Sequence, residues 1–466
     1  MMKKLPLALL VPLLASCSTF DMQVSLTKVN AEPGVVSAGK VDVVLTDEQQ
    51  KAREQRAAEL LQESLSEDAA MELMLSKSPA FQELLLNHWQ AGASVAQTGR
   101  IANPVFSFER MVKGAETEYG RFLRFGLLDV LTLPSRQAAA EIAIDRAAMS
   151  LSAEVYASIS QVRLAWLDAV TAEAKLKIAE KAFTGTSASA DLAKRMKQTG
   201  NFTTTDRIRQ QLIFSEATIA LATARQERLA TREKLIRLLG LEGEDTQQLK
   251  LPTKLPKLAK QPLALSDIAK EINQRFDVRM ARLDYESALK RIGVDQVSTF
   301  TDIEYGRRYD TINDAGSISH KKGYELEVKL PVFDWGDMQR DALQASLLAK
   351  QQAYKNAVLS AASQLRESYS LYRTSFDIAL HYQEQILPMQ ETLLEEATYN
   401  YNGMIIGVFE LMQAGRDMAA AQQSAIDAKR NLLNAEIAMN SVVMGRPIDA
   451  STTKISASSA SADAGH

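Results

Sequence analysis

The feature that most constrains this chain is that it runs through one programme twice. Leu65, Ser66 and Glu67 carry a helix-opening pattern that returns at Leu265, Ser266 and Asp267, an offset of 200. Leu133–Pro134 after a strand pattern returns as Leu330–Pro331, offset 197, and Gly200 interrupts a long helical run as Gly403 does, offset 203. A duplication of this size predicts two similar halves, 65–250 and 265–446, rather than unrelated domains. Between them 251–264 carries Pro252, Pro256 and Pro262 among lysines, a linker composition. Residues 17–64 have no counterpart, and 447–466 turn to Ser, Ala and Thr, the composition of a disordered tail.

Each half holds two short segments in strict period-two alternation, the mark of a strand with unlike faces. In the second half Tyr324, Leu326, Val328 and Leu330 share one face, and Glu325, Glu327 and Lys329 the other. A partner strand sets Ile303, Tyr305 and Tyr309 against Asp302, Glu304 and Arg308, across a polar loop containing Asn313, Asp314, Gly316 and Gly323. The first half gives Phe106 and Phe108 against Ser107 and Glu109, then Leu123, Phe125 and Leu127 against Arg124, with a turn at Lys113 to Glu118. There Phe122 and Met111 fall on the polar side. The apolar faces meet either a second sheet in a soluble sandwich or lipid in a transmembrane barrel. Four strands cannot close a barrel, and an open edge is forbidden in hydrocarbon, so membrane strands require several chains to share one wall. Two copies supply eight strands and three supply twelve.

Helices make up the larger part. From about Arg136 to Gln198 there is no strong breaker apart from Gly185, and Leu151, Val155, Ile159, Val162, Trp166 and Val170 form one apolar stripe. About sixty residues rise roughly 90 Å. The second half repeats this from about Met338, with Tyr354, Val358, Ala361, Leu365, Tyr372 and Phe376, and with Pro388 at an expected bend. Such stripes are coiled-coil seams. With 54 basic against 57 acidic residues the chain has no general field for nucleic acid. Its four histidines, His88, His320, His381 and His466, lie far apart, so no metal site is expected. No phosphate-binding loop or nucleophile with a placed base is present, so no enzyme and no cofactor are expected. The sixteen methionines, among them Met404, Met412 and Met418, read as flexible core filling rather than copper handling.

Lys3 and Lys4 precede an apolar run from Leu5 to Leu14, too short to span a bilayer, which makes 1–16 a signal peptide. Leu14, Ala15, Ser16 and Cys17 then resemble a bacterial lipoprotein box, with Cys17 the only cysteine. The resemblance implies cleavage before Cys17 and a covalent lipid anchor on it, each buried methylene contributing about 0.8 kcal/mol. Ser18 after the cysteine implies sorting to the outer membrane of a Gram-negative bacterium.

Together, the box, the doubled programme of helix, hairpin, long helix and reversal, and the segment Leu330, Pro331, Val332, Phe333, Asp334, Trp335, Gly336 resemble the outer membrane factor (TolC-like) family over residues 65 to 446. Leu131 to Arg136 departs from the family pattern in lacking its aromatic and Gly. The resemblance implies a mainly α fold with a small β part. Long antiparallel coiled-coil helices form an α-barrel, and four transmembrane β-strands per protomer contribute to a trimeric twelve-stranded β-barrel. It implies a homotrimer that serves as a passive exit duct for efflux or secretion, with a periplasmic adaptor, an inner-membrane pump and outer membrane lipid as partners. Adaptor contacts are then expected at the reversals Gly200, Asn201 and Asn402, Gly403. Phe409 to Ala414 resembles the family's pore-narrowing segment, with Glu410 at its first acidic position and Gln413 where a second acid occurs. A ring of such carboxylates attracts cations, and protonation discharges it. Thr205 and Asp206 match a hydrogen-bonding pair that Tyr401 joins to hold the tip closed, and Ile406 replaces an arginine of that lock. The competing reading is a lipid-anchored periplasmic coiled-coil scaffold without a pore.

Overall fold

The computed structural model describes residues 20–36, 38–265, 274–298, 302–314, 316–330 and 332–447. Cys17, Ser18, Ser266, Asp267, Pro331 and the tail from 448 lie outside them. Short helices come first: α1 Met22–Asn30, α2 Pro33–Val36, α3 Asp47–Gln62 and α4 Glu67–Lys77. The first copy then runs α5 Pro79–Thr98, β1 Val105–Lys113, β2 Glu116–Gly126, α6 Leu127–Gln198 and α7 Thr204–Leu239. A short α8, Asp245–Gln248, precedes the second copy: α9 Phe276–Ser298, β3 Ile303–Asp314, β4 Ser317–Val328 and α10 Asp337–His381. A π-helical turn, Tyr382–Ile386, leads into α11 Leu387–Asn402, and α12 Val408–Val443 closes the copy. The repeat is tightest at its end, where α7 and α12 each have 36 residues. Pro388 follows the π turn, the local widening that accommodates a residue with no amide to donate.

The described residues divide into two compact units: those within 1–29, 86–151 and 276–359, and those within 30–85, 152–275 and 360–466. The first unit holds one antiparallel sheet of order β1-β2-β3-β4. Its register sets Phe106 beside Leu123, Phe125 beside Tyr305 and Tyr305 beside Leu326, so most apolar residues of the four strands share a face, with Val105, Met111, Phe122 and Ile312 on the other. On the other face Arg124 pairs with Glu304 at 3.2 Å and Glu327 at 3.4 Å, and Arg308 with Asp310 at 2.9 Å. The register puts Phe122 on this charged face, and a glycine makes room for it there: a Cβ on Gly306 would stand 2.3 Å from its ring, and Arg124 sits 5.0 Å above that ring.

Several boundaries differ from the sequence reading. Both hairpins turn more tightly, because Lys113 already pairs with Glu116 and Asp314 with Ser317; Gly323 lies inside β4 opposite Arg308. Leu330 lies beyond β4. Leu127 begins α6 instead of ending a strand, and Leu133 and Pro134 lie within that helix, which starts nine residues before the expected Arg136. The early start is stabilised by Arg136, which donates to Asp129 at 2.8 Å and to the carbonyls of Thr98 and Arg100 at 3.0 and 2.9 Å. With 72 residues, α6 rises about 108 Å.

The second unit is held by side chains crossing between helices. Tyr372, Phe376, Leu432, Ala435 and Met439 form an apolar cluster between α10 and α12. Asp168 on α6 accepts from Arg430 on α12 at 2.7 Å and lies 3.6 Å from Lys234 on α7. Lys175 meets Asp427 at 2.6 Å. The proline-rich connection is pinned: the Leu263 carbonyl accepts from Tyr369 Oη at 3.1 Å, and its amide donates to Tyr372 Oη at 3.3 Å. At the start of the first copy Ser66 caps α4 by accepting from Ala69 N, Trp166 Nε1 donates to the Leu65 carbonyl at 2.8 Å, and Arg163 pairs with Glu67.

Glu436 of α12 lies in this last cluster. Burial pushes its carboxyl up, Arg163 opposes the shift and Glu67 adds to it. A carboxyl raised by folding contributes fully below its unfolded value, about pH 4, and the contribution is lost as pH rises through the folded value. Glu436→Gln is therefore expected to raise the melting temperature at neutral and alkaline pH, with the difference closing towards about pH 4. A constant difference across pH in thermal melts would show that the carboxyl is not the cause.

Candidate functional site

Both long helices reverse through one backbone device. The Gly200 amide donates to Lys197 O at 3.2 Å and Asn201 to Met196 O at 2.9 Å; in the second copy Met404 donates to Tyr401 O at 3.0 Å and Ile405 to Asn400 O at 2.8 Å. These are matching helix-ending motifs in which the residue after the cap takes the left-handed conformation. That residue is Gly200, φ 79°, in the first copy and Met404, φ 60°, in the second, the only non-glycine with positive φ among the described residues. Gly403 itself has an ordinary φ of −78°.

Phe202 and Phe409 bring the two reversals together: their rings stack at 4.7 Å. Sequence reasoning missed this pair, since stacking partners 207 positions apart leave no local periodic signal. Asp206 lies in the first turn of α7, where the capping hydroxyl of Thr203 accepts from its amide at 3.0 Å and donates to its carboxylate at 2.5 Å. Its carboxylate partners within the chain are Thr203 and, at 3.5 Å, Arg209, and among the described residues no hydrogen bond joins Asp206 to Thr205 or Tyr401. Thr205 and Tyr401 are both exposed, as are Gly200, Asn201, Asn402 and Gly403.

Glu410 stands in the first turn of α12, after Gly407, which provides no side-chain cap. Glu410, Gln413 and Asp417 are all exposed, and their spacing of three and four places them on one helix face. Gln413 Nε2 donates to Asp417 Oδ1 at 2.7 Å while its carbonyl accepts from Arg416. Asp417 is therefore a second acid on the stripe, one turn beyond the position expected from sequence. Burial lowers the Arg416 guanidinium from its usual value, with Asp417 opposing the shift. Beside this stripe a groove of about 480 Å³ is lined by Ile178, Lys181, Gly185, Leu394, Leu411 and Arg416. No cluster of metal-ligating residues occurs among the described residues, and no described helix is long and apolar enough to cross a membrane.

Met404 is 93% exposed, so its side chain offers no packing to offset a left-handed backbone. Met404→Gly is expected to stabilise this turn by about 0.5–1 kcal/mol, slowing amide exchange across 402–407 by about two- to fivefold. Unchanged or faster exchange would contradict the strain assigned to Met404.

Residues 268–443 match the family described as outer membrane efflux protein. Nodulation protein T of Rhizobium leguminosarum bv. trifolii is 21% identical over 373 residues, covering 76% of each chain. Among solved structures, a membrane protein from Pseudomonas aeruginosa aligns with TM-score 0.67 and 17% identity, covering 84% of this chain and 93% of its own. The Campylobacter jejuni CmeC outer membrane channel aligns with TM-score 0.64 and 14% identity over 91% of this chain and 93% of that one. The match to the outer membrane efflux protein family thus falls on the second half of the chain, and the long helices with one four-stranded sheet share the fold of these solved membrane proteins.

Proposed function

We propose that this protein is the outer membrane duct of a tripartite efflux or secretion system, a homotrimer that opens and closes at its helix turns and supplies no energy of its own. The observation that carries the reading is the sheet. Every residue of β1 and β4 is exposed, and both strands are edges. One face carries Phe106, Phe108, Leu123 and Leu326 into solvent. An open edge with an apolar face is tolerated in a bilayer only when another chain pairs with it. With four strands β1 and β4 run in opposite directions, so β4 of one copy continues antiparallel into β1 of the next. Three copies give twelve strands, the family's number.

The helix turns serve as the gate and adaptor contacts. Glu410 and Asp417 of each copy supply the carboxylates that face the lumen, and the exposed turns at Gly200–Asn201 and Asn402–Gly403 meet the adaptor. Asp206 and Thr205 are the lock residues that Tyr401 joins to hold the tip closed, as their match to the family's pattern implies. Cys17 carries the lipid anchor, as its box implies. The exported substrate is left open by a water-filled lumen that binds little.

Purified full-length protein is expected to run as a heat-labile trimer and to give single-channel conductance in planar bilayers, with Tyr401→Phe raising the leak. Cys17→Ala should lose acyl labelling but stay in the membrane through its strands. Absence of conductance, with extraction of Cys17→Ala without detergent, would replace this reading by the poreless scaffold.

A further inference from the structure

Charge is sorted between the two faces of the sheet. Every Asp and Glu of the four strands lies on the face that carries Arg124 and Arg308. Those two arginines find carboxylates within the chain. The opposite, apolar face has no acid, yet it carries Arg110, Arg121, His320 and Lys322, with Arg307 one row nearer the helices. Arg121, Tyr309 and Lys322 lie in register on β2, β3 and β4. The Tyr309 ring has Arg121 at 5.7 Å and Lys322 at 5.7 Å from its centroid, and His320 stacks on it at 5.5 Å. Arg110 lies 5.9 Å from Tyr119 in the row beyond. Among the described residues none of Arg110, Arg121 or Lys322 forms an ion pair.

On the reading that this face meets lipid, position and partner both follow. A cation on the lipid face is costly at the bilayer midplane and costs little near the interface. The cationic rows therefore mark a headgroup level, with the apolar rows Ile303–Val328 and Phe125–Tyr305–Leu326 below them in hydrocarbon. At that level the counter-charge must come from outside the chain, because all the carboxylates of the strands lie on the other face. Guanidinium and ammonium groups held side by side by one aromatic ring suit an oxyanion bearing several acceptors. We infer that Arg121 and Lys322, spaced by Tyr309 and flanked by Arg110, bind the phosphate of an anionic membrane lipid headgroup.

The inference rests on the membrane reading of the sheet, and its test separates the two. The full-length protein in neutral detergent, as wild type, as the double variant Arg121→Gln/Lys322→Gln and as Arg121→Lys, is offered phosphorylated lipid A, dephosphorylated lipid A or inorganic phosphate. Bound lipid is read by native mass spectrometry. The wild type is expected to retain the phosphorylated lipid about tenfold better than the dephosphorylated one, with the double variant losing the preference and Arg121→Lys keeping most of it. Equal retention of the two lipids by the wild type would overturn the site, as would an unchanged preference in the double variant or displacement by equimolar inorganic phosphate. Should the double variant not fold, the wild-type comparison and Arg121→Lys still decide. Conductance in pure phosphatidylcholine without lipid preference would remove the site alone; no conductance would remove the membrane reading and the site with it.

Discussion

A backbone amide in hydrocarbon has nowhere to turn but another strand or its own helix, and the rest of this structure depends on that constraint. Each protomer has four short strands ending in two open edges. One protomer therefore cannot complete the element that its apolar face calls for. On the proposed membrane reading, assembly is therefore the condition for the fold. The even strand count lets one copy's last strand meet the next copy's first in antiparallel fashion, so identical chains suffice.

The helical part solves a different problem, that of holding long helices together without a conventional globular core. Ion pairs such as Asp168 with Arg430 and Lys175 with Asp427 set the axial register of α6 and α12. The register matters because the two helix turns hang from it. Phe202 meets Phe409 only if the two copies of the programme are aligned. Met404, where the sister turn uses Gly200, makes the second turn the more strained of the two.

Much of the fold was legible because periodicity survives in sequence. Alternation at Tyr324, Leu326 and Val328 identified a strand face, and the spacing of Leu151, Val155, Ile159 and Val162 identified a helix face. Boundaries were less legible. Pro134 reads as a stop, yet it lies eight residues into α6, where it forfeits one intrahelical hydrogen bond, and Arg136 ties that stretch to Thr98 and Arg100 from 36 and more residues away. Lys113 and Asp314 looked like loop residues because polar side chains suit both loops and hairpin ends. Around the candidate gate, Glu410 could be placed by pattern, whereas Thr203 as partner of Asp206 and Asp417 as partner of Gln413 depend on rotamers and caps. The sorting of charge between sheet faces is written in the sequence too, but it needs the strand register before it can be read.

The central claim is that β1 and β4 are edges only in an isolated chain. Amide hydrogen exchange of the full-length protein in lipid nanodiscs tests it directly, by comparing Val105–Lys113 and Ser317–Val328 with the inner strands Glu116–Gly126 and Ile303–Asp314. Paired seams between copies require the outer strands to be as protected as the inner ones. Rapid exchange confined to β1 and β4 would mean that the edges stay open and that no shared wall exists.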